Sequence, residues 1–151
     1  MTVEQTLTDK GITLPAAPMP AANYVPFVQT GNLIFVSGQI SANEAGLITG
    51  KLGDGFSVED GAAAARRCGL ALIAQLKSAI GDLDRVTRVV KLTGFVNSTP
   101  DFTDQPKVIN GCSDLMVEVF GDAGRHARAA VSAPSLPFGV AVEVEAVFEV
   151  A

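Results

Sequence analysis
The chain has 151 residues, enough for one domain with a substantial core. Hydrophobic residues make up 48% and charged residues only 18%, which excludes a disordered chain and leaves apolar surface for contacts between subunits. A net charge of −5, scattered basic residues and the absence of tryptophan argue against broad nucleic-acid binding, and no apolar run is long enough to span a membrane.

Thr2-Val3-Glu4-Gln5 fits a capping box, so a short helix to about Lys10 is expected, stopped by Gly11. The opening segment lacks the apolar run of a signal peptide, consistent with a cytoplasmic protein. Residues 14–22 are rich in proline and alanine and should be extended. The segment 1–22 thus reads as an N-terminal helix and arm, ahead of a domain over 23–151.

Strands are expected over 24–30 and 33–37, with Gly31-Asn32 as the tight turn between them. Gly38 then lets the chain bend. Residues 43–55 form a glycine-rich loop with a short strand near 47–49. Ser57 can cap a helix running to about Ile80, with Glu59 and Asp60 in its first turn. Its apolar face is carried by Ala65, Gly69, Leu72, Leu76 and Ile80.

Residues 86–97 read as a long strand. Thr103 is placed to cap a second helix, Pro106 suits its first turn, and Gly121 ends it. Val108, Cys112, Leu115, Met116 and Val119 form its buried stripe. Cys68 and Cys112 both fall on helix faces and read as free, buried thiols.

Two strands close the chain, about 127–132 and 139–150. In the last, Val140, Val142, Val144, Ala146, Phe148 and Val150 alternate and must face an apolar layer. The other face shows Ala141, Glu143, Glu145, Val147 and Glu149. The preceding strand divides into Ala127, Ala129 and Val131 on one face and His126, Arg128, Ala130 and Ser132 on the other. One sheet face is then covered by two helices. The second, with charges beside small apolar residues, suits a subunit interface holding a polar pocket. If the last two strands form a hairpin centred near Ser135 and Leu136, Arg128 lies roughly opposite Glu143.

Arg128 raises the central chemical question. A guanidinium among small apolar residues needs an anion, either a structural partner such as Glu143 or Glu145, or a bound carboxylate gripped through two parallel hydrogen bonds. The single histidine, His126, rules out a histidine-based metal cluster and reads as a pocket-rim or structural residue. No P-loop is present, and no cofactor or metal is implied.

The stretch Gly31 to Ile40 and the gapless block from Arg128 through Glu143 to Val147 resemble the RidA/YjgF family of small trimeric enamine and imine deaminases, and the similarity runs from about Tyr24 to the C-terminus. The resemblance implies an α+β, chorismate mutase-like fold. It further implies a homotrimer whose sheets line a central barrel, with clefts between subunits.

The implied activity is that of a 2-iminobutanoate/2-iminopropanoate deaminase-like hydrolase. Such an enzyme converts 2-aminoacrylate-type enamines and imines to 2-oxo acids and ammonia. Arg128 would hold the substrate carboxylate, while Glu143 and the backbone carbonyl of Ala130 would orient water. Tyr24, from a neighbouring subunit, together with Ser37 and Asn110 would shape the pocket.

Each of these has a plainer reading. Tyr24 can be packing, Ser37 a strand-end hydroxyl bonded to backbone, Asn110 a surface residue and Glu143 a solvated carboxylate. Ala130 stands where the family commonly has cysteine, and Asn23 where it commonly has proline. Some relatives carry ribonuclease or translation-inhibitor labels, which nothing in these residues supports. The alternatives are a non-catalytic module of the same fold that binds a small carboxylate or 2-oxo acid, and an interaction protein in which Arg128 is structural.

Overall fold
The computed structural model describes residues 1–20 and 22–151. Helix α1 spans Val3–Asp9, and its capping box forms as expected, with Thr2 accepting from the Gln5 amide and Gln5 reaching back. Leu7 buries into the core, and the Val3 amide donates to Asp84 at 2.7 Å, so this helix is anchored on the body of the protein.

Strands β1 (Phe27–Thr30) and β2 (Leu33–Ile40) form a hairpin whose Thr30–Leu33 pairing leaves Gly31-Asn32 as its two-residue turn. Gly31 has φ 59°, the left-handed geometry such turns require. Tyr24 lies just before the hairpin rather than inside its first strand, because Pro26 cannot donate to the ladder. Beside Gly38 the β2 register shifts between Val36 and Gln39, a bulge rather than the end of the strand. Short strands β3 (Ala42–Asn43) and β4 (Gly46–Leu47) pair in the glycine-rich loop.

Helix α2 (Val58–Ile80) starts at Ser57, which accepts from the Asp60 amide. Strand β5 spans Val86–Asn97. Helix α3 (Gln105–Phe120) begins one residue later than expected: Asp104, not Thr103, is its N-cap, with no side-chain capping bond. The two helices pack closely. Gly69 of α2 meets Leu115 and Cys112, and Gly111 of α3 lies against the backbone of Ala62. Both cysteines are free and buried; desolvation pushes the Cys112 thiol up to about 12, an effect the nearby Arg128 guanidinium partly offsets.

The five-stranded sheet has the order β1-β2-β7-β5-β6, where β6 is Ala127–Ala133 and β7 is Val142–Val150. This overturns the expected closing hairpin. β6 pairs with β5 in parallel, and β7 pairs antiparallel with β5 and β2, so β5 separates the last two strands. The physical reason is α3: a strand, a crossover helix and a second strand return in parallel, and Pro134 and Pro137 lie in a wide excursion rather than a tight turn.

The helices cover one face of the sheet, where Val142, Val144, Ala146, Phe148 and Val150 are buried as their alternation required. On the uncovered face Val28, Phe35 and Val131 are exposed, an apolar surface on an otherwise acidic protein. Among the described residues no helix is long and apolar enough to cross a membrane.

Candidate functional site
The site residues separate into two groups. Arg128 pairs with Leu92, which pairs with Ala146, and both of these are buried under the helices. Side chains of paired residues lie on the same face of a sheet, so Arg128 points to the helix side. Glu143 pairs with Phe95, which pairs with Val131, on the uncovered side. Arg128 and Glu143 therefore lie on opposite faces, two strands apart, contrary to the expectation that they stand opposite each other. The expected assignment of the β6 faces is likewise inverted: Arg128 and Ala130 face α3, and Val131 is exposed. β6 is an edge strand, so the long arginine stem can lie along apolar surface while its charged head reaches the rim.

Within its own chain Arg128 is held by neutral partners. Its Nη1 donates to Asn110 Oδ1 at 2.8 Å and to Ser113 Oγ at 3.2 Å, both on α3. Among the described residues no carboxylate comes within ion-pair distance of it. Sequence reasoning placed Asn110 with Arg128 and missed Ser113. The signal was available, since Ser113 follows Asn110 by three positions and so shares its helix face.

His126 completes a chain of hydrogen bonds. Its Nδ1 lies 2.6 Å from the Gly124 carbonyl, which can only accept, so Nδ1 carries the proton. In the neutral ring Nε2 must then accept from Ser113, 2.8 Å away. The Ser113 hydroxyl thus donates to His126 and keeps a lone pair for Arg128. Both hydrogens of Nη1 are committed, while Nε and Nη2 have no protein acceptor among the described residues. The remaining edge of the guanidinium is the fork that matches a carboxylate.

The second group surrounds a pocket of about 490 Å³ that Tyr24, Gly38 and Glu143 help to line and to which Arg128, Asn110 and Ser113 do not contribute. Glu143 packs directly against Gly38, where any side chain would strike the carboxylate. Glu143 is half-buried, and its pKa is raised by desolvation and then by the neighbouring Glu145. Ser37 donates to the Val25 carbonyl at 2.7 Å, and its amide donates to the Pro26 carbonyl at 2.9 Å. It therefore fastens the Tyr24 segment to β2, the backbone role that a strand-end serine would have by default. Tyr24 is 49% exposed. Ala130 lies on edge strand β6, two residues from Arg128, with its side chain packed against the core.

Comparison with known proteins agrees with this architecture. Residues 4–149 match the family described as "YjgF/chorismate_mutase-like, putative endoribonuclease". The chain belongs to this family. Protein TCP17 of Trypanosoma cruzi is 55% identical over 141 residues, covering 92% of this chain and 88% of its own. The crystal structure of Atu1372 from Agrobacterium tumefaciens, a protein of unknown function, superimposes with a TM-score of 0.91 at 46% identity, covering 99% of this chain and 92% of that one. E. coli TdcF with bound serine superimposes with a TM-score of 0.66 at 25% identity, covering 89% and 94%. The α+β, chorismate mutase-like fold of the family is the one seen here, with a five-stranded sheet and helices packed on one face.

Proposed function
We propose that this chain hydrolyses 2-imino acids and their enamine tautomers to 2-oxo acids and ammonia, at a site assembled between copies of itself. The observation that carries this reading is the guanidinium of Arg128, which is oriented by neutral partners on one nitrogen and leaves its other edge for a carboxylate. Serine bound to the E. coli TdcF relative supports a site for small amino-acid-like ligands in this family.

Opposite-face placement of Arg128 and Glu143 supports a composite site. One copy contributes Arg128, Asn110 and the carbonyl of Ala130 on its edge strand. The next contributes Glu143 and Tyr24, with Ser37 holding the Tyr24 segment in place. The exposed apolar face of the sheet, with Val28, Phe35 and Val131, supports a closed homotrimer in which the sheets line a central barrel.

In the reaction, Arg128 fixes the carboxylate and so places the adjacent C=N carbon. Water held between the Ala130 carbonyl and the Glu143 carboxylate adds its oxygen to that carbon while the nitrogen gains a proton. Glu143 receives the proton that the water loses. The tetrahedral intermediate then collapses: Glu143 returns its proton to the amine nitrogen, the C–N bond breaks, ammonia departs, and the hydroxyl gives up its proton as it becomes the ketone. One water enters and one ammonia leaves, with no change of oxidation state, so the chemistry uses no redox cofactor. Alanine at position 130 retains the carbonyl this step needs.

The test is ammonia release from an imine generated in the assay by an amino-acid oxidase. Turnover by the native chain, lost in Arg128→Ala with assembly intact, supports the proposal. Unchanged turnover and carboxylate binding in that variant contradict it.

A second reading is a non-catalytic module that binds a 2-oxo acid. It is favoured by one observation: the Arg128 site is organised within a single chain, without Glu143. Tight binding of a 2-oxo acid with no imine turnover would select it.

A further inference from the structure
The pocket beside Glu143 is larger and more apolar than a three-carbon substrate needs. Its volume of about 490 Å³ lies in the range of sites that enclose drug-sized ligands. Its walls come from three distant parts of the chain: Pro18 and Met19 of the N-terminal arm with Tyr24 beyond it, Leu47 of β4, and Phe138 in the excursion between β6 and β7. Glu143 is the one charged residue among its described lining residues.

Two features indicate that this wall is built. The arm is tied in place, since Gln75 of α2 donates to the Pro18 carbonyl, and Gln75 is itself only 2% exposed. A buried amide fastened to an arm with no regular structure fixes that arm's path over the pocket. Phe138 has φ 59° and ψ 14°, a left-handed conformation that a bulky residue rarely adopts, and among the described residues it is the one non-glycine with positive φ. Phe138 is nonetheless 69% exposed, so burial within its own chain does not compensate the strain. Contact with a bound apolar group would.

We propose that the pocket receives the side chain of the substrate, so that the imines this chain favours derive from bulky aliphatic, thioether or aromatic amino acids rather than from three-carbon ones. The proposal rests on the imine-hydrolysis reading above and names its substrate class. The charge pattern fits this class. A 2-imino acid with a large side chain presents a carboxylate, a protonated imine nitrogen and an apolar body. Arg128 of one copy holds the first, Glu143 of the next stands with its water beside the second, and the pocket accepts the third. A three-carbon imine satisfies both charges and leaves the apolar wall against water.

The experiment compares imines generated in the assay by an amino-acid oxidase from alanine, leucine, methionine and phenylalanine, alongside binding of pyruvate and 4-methyl-2-oxopentanoate by calorimetry. The expected result is a kcat/KM for the bulky imines above that for the alanine imine by about tenfold or more, since single methylenes in apolar pockets already discriminate at that level. 4-Methyl-2-oxopentanoate should bind more tightly than pyruvate. Phe138→Gly, which suits the left-handed backbone, should reduce both ratios. So should Met19→Ser, at a position 87% exposed where folding is indifferent to the change.

Equal kcat/KM across the series, or preference for the alanine imine, overturns this inference and leaves imine hydrolysis standing. Ratios that neither variant changes overturn it as well. Failure to turn over any imine overturns the hydrolysis reading instead. In that case the binding comparison decides the pocket: tighter 4-methyl-2-oxopentanoate binding upholds its apolar selectivity, and equal binding refutes it.

Discussion
Ser113→Ala is the most informative single change to the Arg128 half of the site. Ser113 Oγ takes one of the two hydrogens on Nη1 and gives its own proton to His126. Removing it frees the guanidinium to swing about its remaining bond to Asn110. A hydrogen bond to a charged group is worth roughly 1.5–3 kcal/mol when sheltered. Arg128 and Ser113 are only half-buried, so water replaces part of that, and about 1 kcal/mol of preorganisation is a reasonable loss. Since 1.4 kcal/mol is a factor of ten, KM should rise roughly fivefold. The kcat should stay within about a factor of two, because the bond acts on carboxylate binding and not on the reacting carbon.

Helix α3 should tolerate the change, since alanine is a better helix former than serine. Steady-state ammonia release gives the two constants, and Ser113→Thr, which keeps the hydroxyl, should restore KM. An unchanged KM, or kcat and thermal stability falling together while KM holds, would refute the claim that Ser113 orients Arg128.

Three other outcomes follow from the structure. The rate should fall at acidic pH as Glu143 takes up a proton, at a pH above the ordinary carboxylate range. Glu145→Gln, which removes a repelling charge, should move that limb to lower pH in a pH–rate profile. Because the folded state holds the Glu143 proton more tightly than the unfolded chain, native stability should lose a Glu143 contribution as pH rises from the unperturbed carboxylate value through the raised one; Glu143→Gln should abolish that slope in urea titrations. Gly111→Ala should destabilise the fold despite a helix-propensity gain of about 1 kcal/mol, because the new methyl meets the Ala62 backbone and has no rotamer to escape into. A net loss of about 2 kcal/mol should lower Tm by roughly 4–8 °C in calorimetry.

Much of the fold was legible because local signals agreed with it. Ser57 and Gly121 bracket their helices through capping chemistry, and the alternation from Val140 to Val150 fixes which face of β7 is buried. Pairing was less legible. Pro134 and Pro137 punctuate the chain like a hairpin loop, yet the partner of β6 is set by the crossover through α3, a relation between elements that no local pattern carries. The faces of β6 were inverted for a related reason. In His126-Ala127-Arg128-Ala129-Ala130-Val131 the alanines give almost no amphipathic contrast, and edge position lets Arg128 lie toward the helices with its head at the rim. Asn110 and Arg128, which the sequence put in one candidate site, are hydrogen-bonded here. The division of the candidate residues into two groups was not legible, because it depends on faces and strand order.

That division is also what can be tested most directly. Arg128→Ala and Glu143→Gln, each inactive alone, can be unfolded together and refolded as a mixture. If the site joins Arg128 of one copy to Glu143 of the next, random mixed trimers regain about one quarter of the native sites. Imine turnover should return to about that fraction of the native rate. Mixtures that assemble and remain as inactive as the separate variants would contradict a site shared between neighbouring copies.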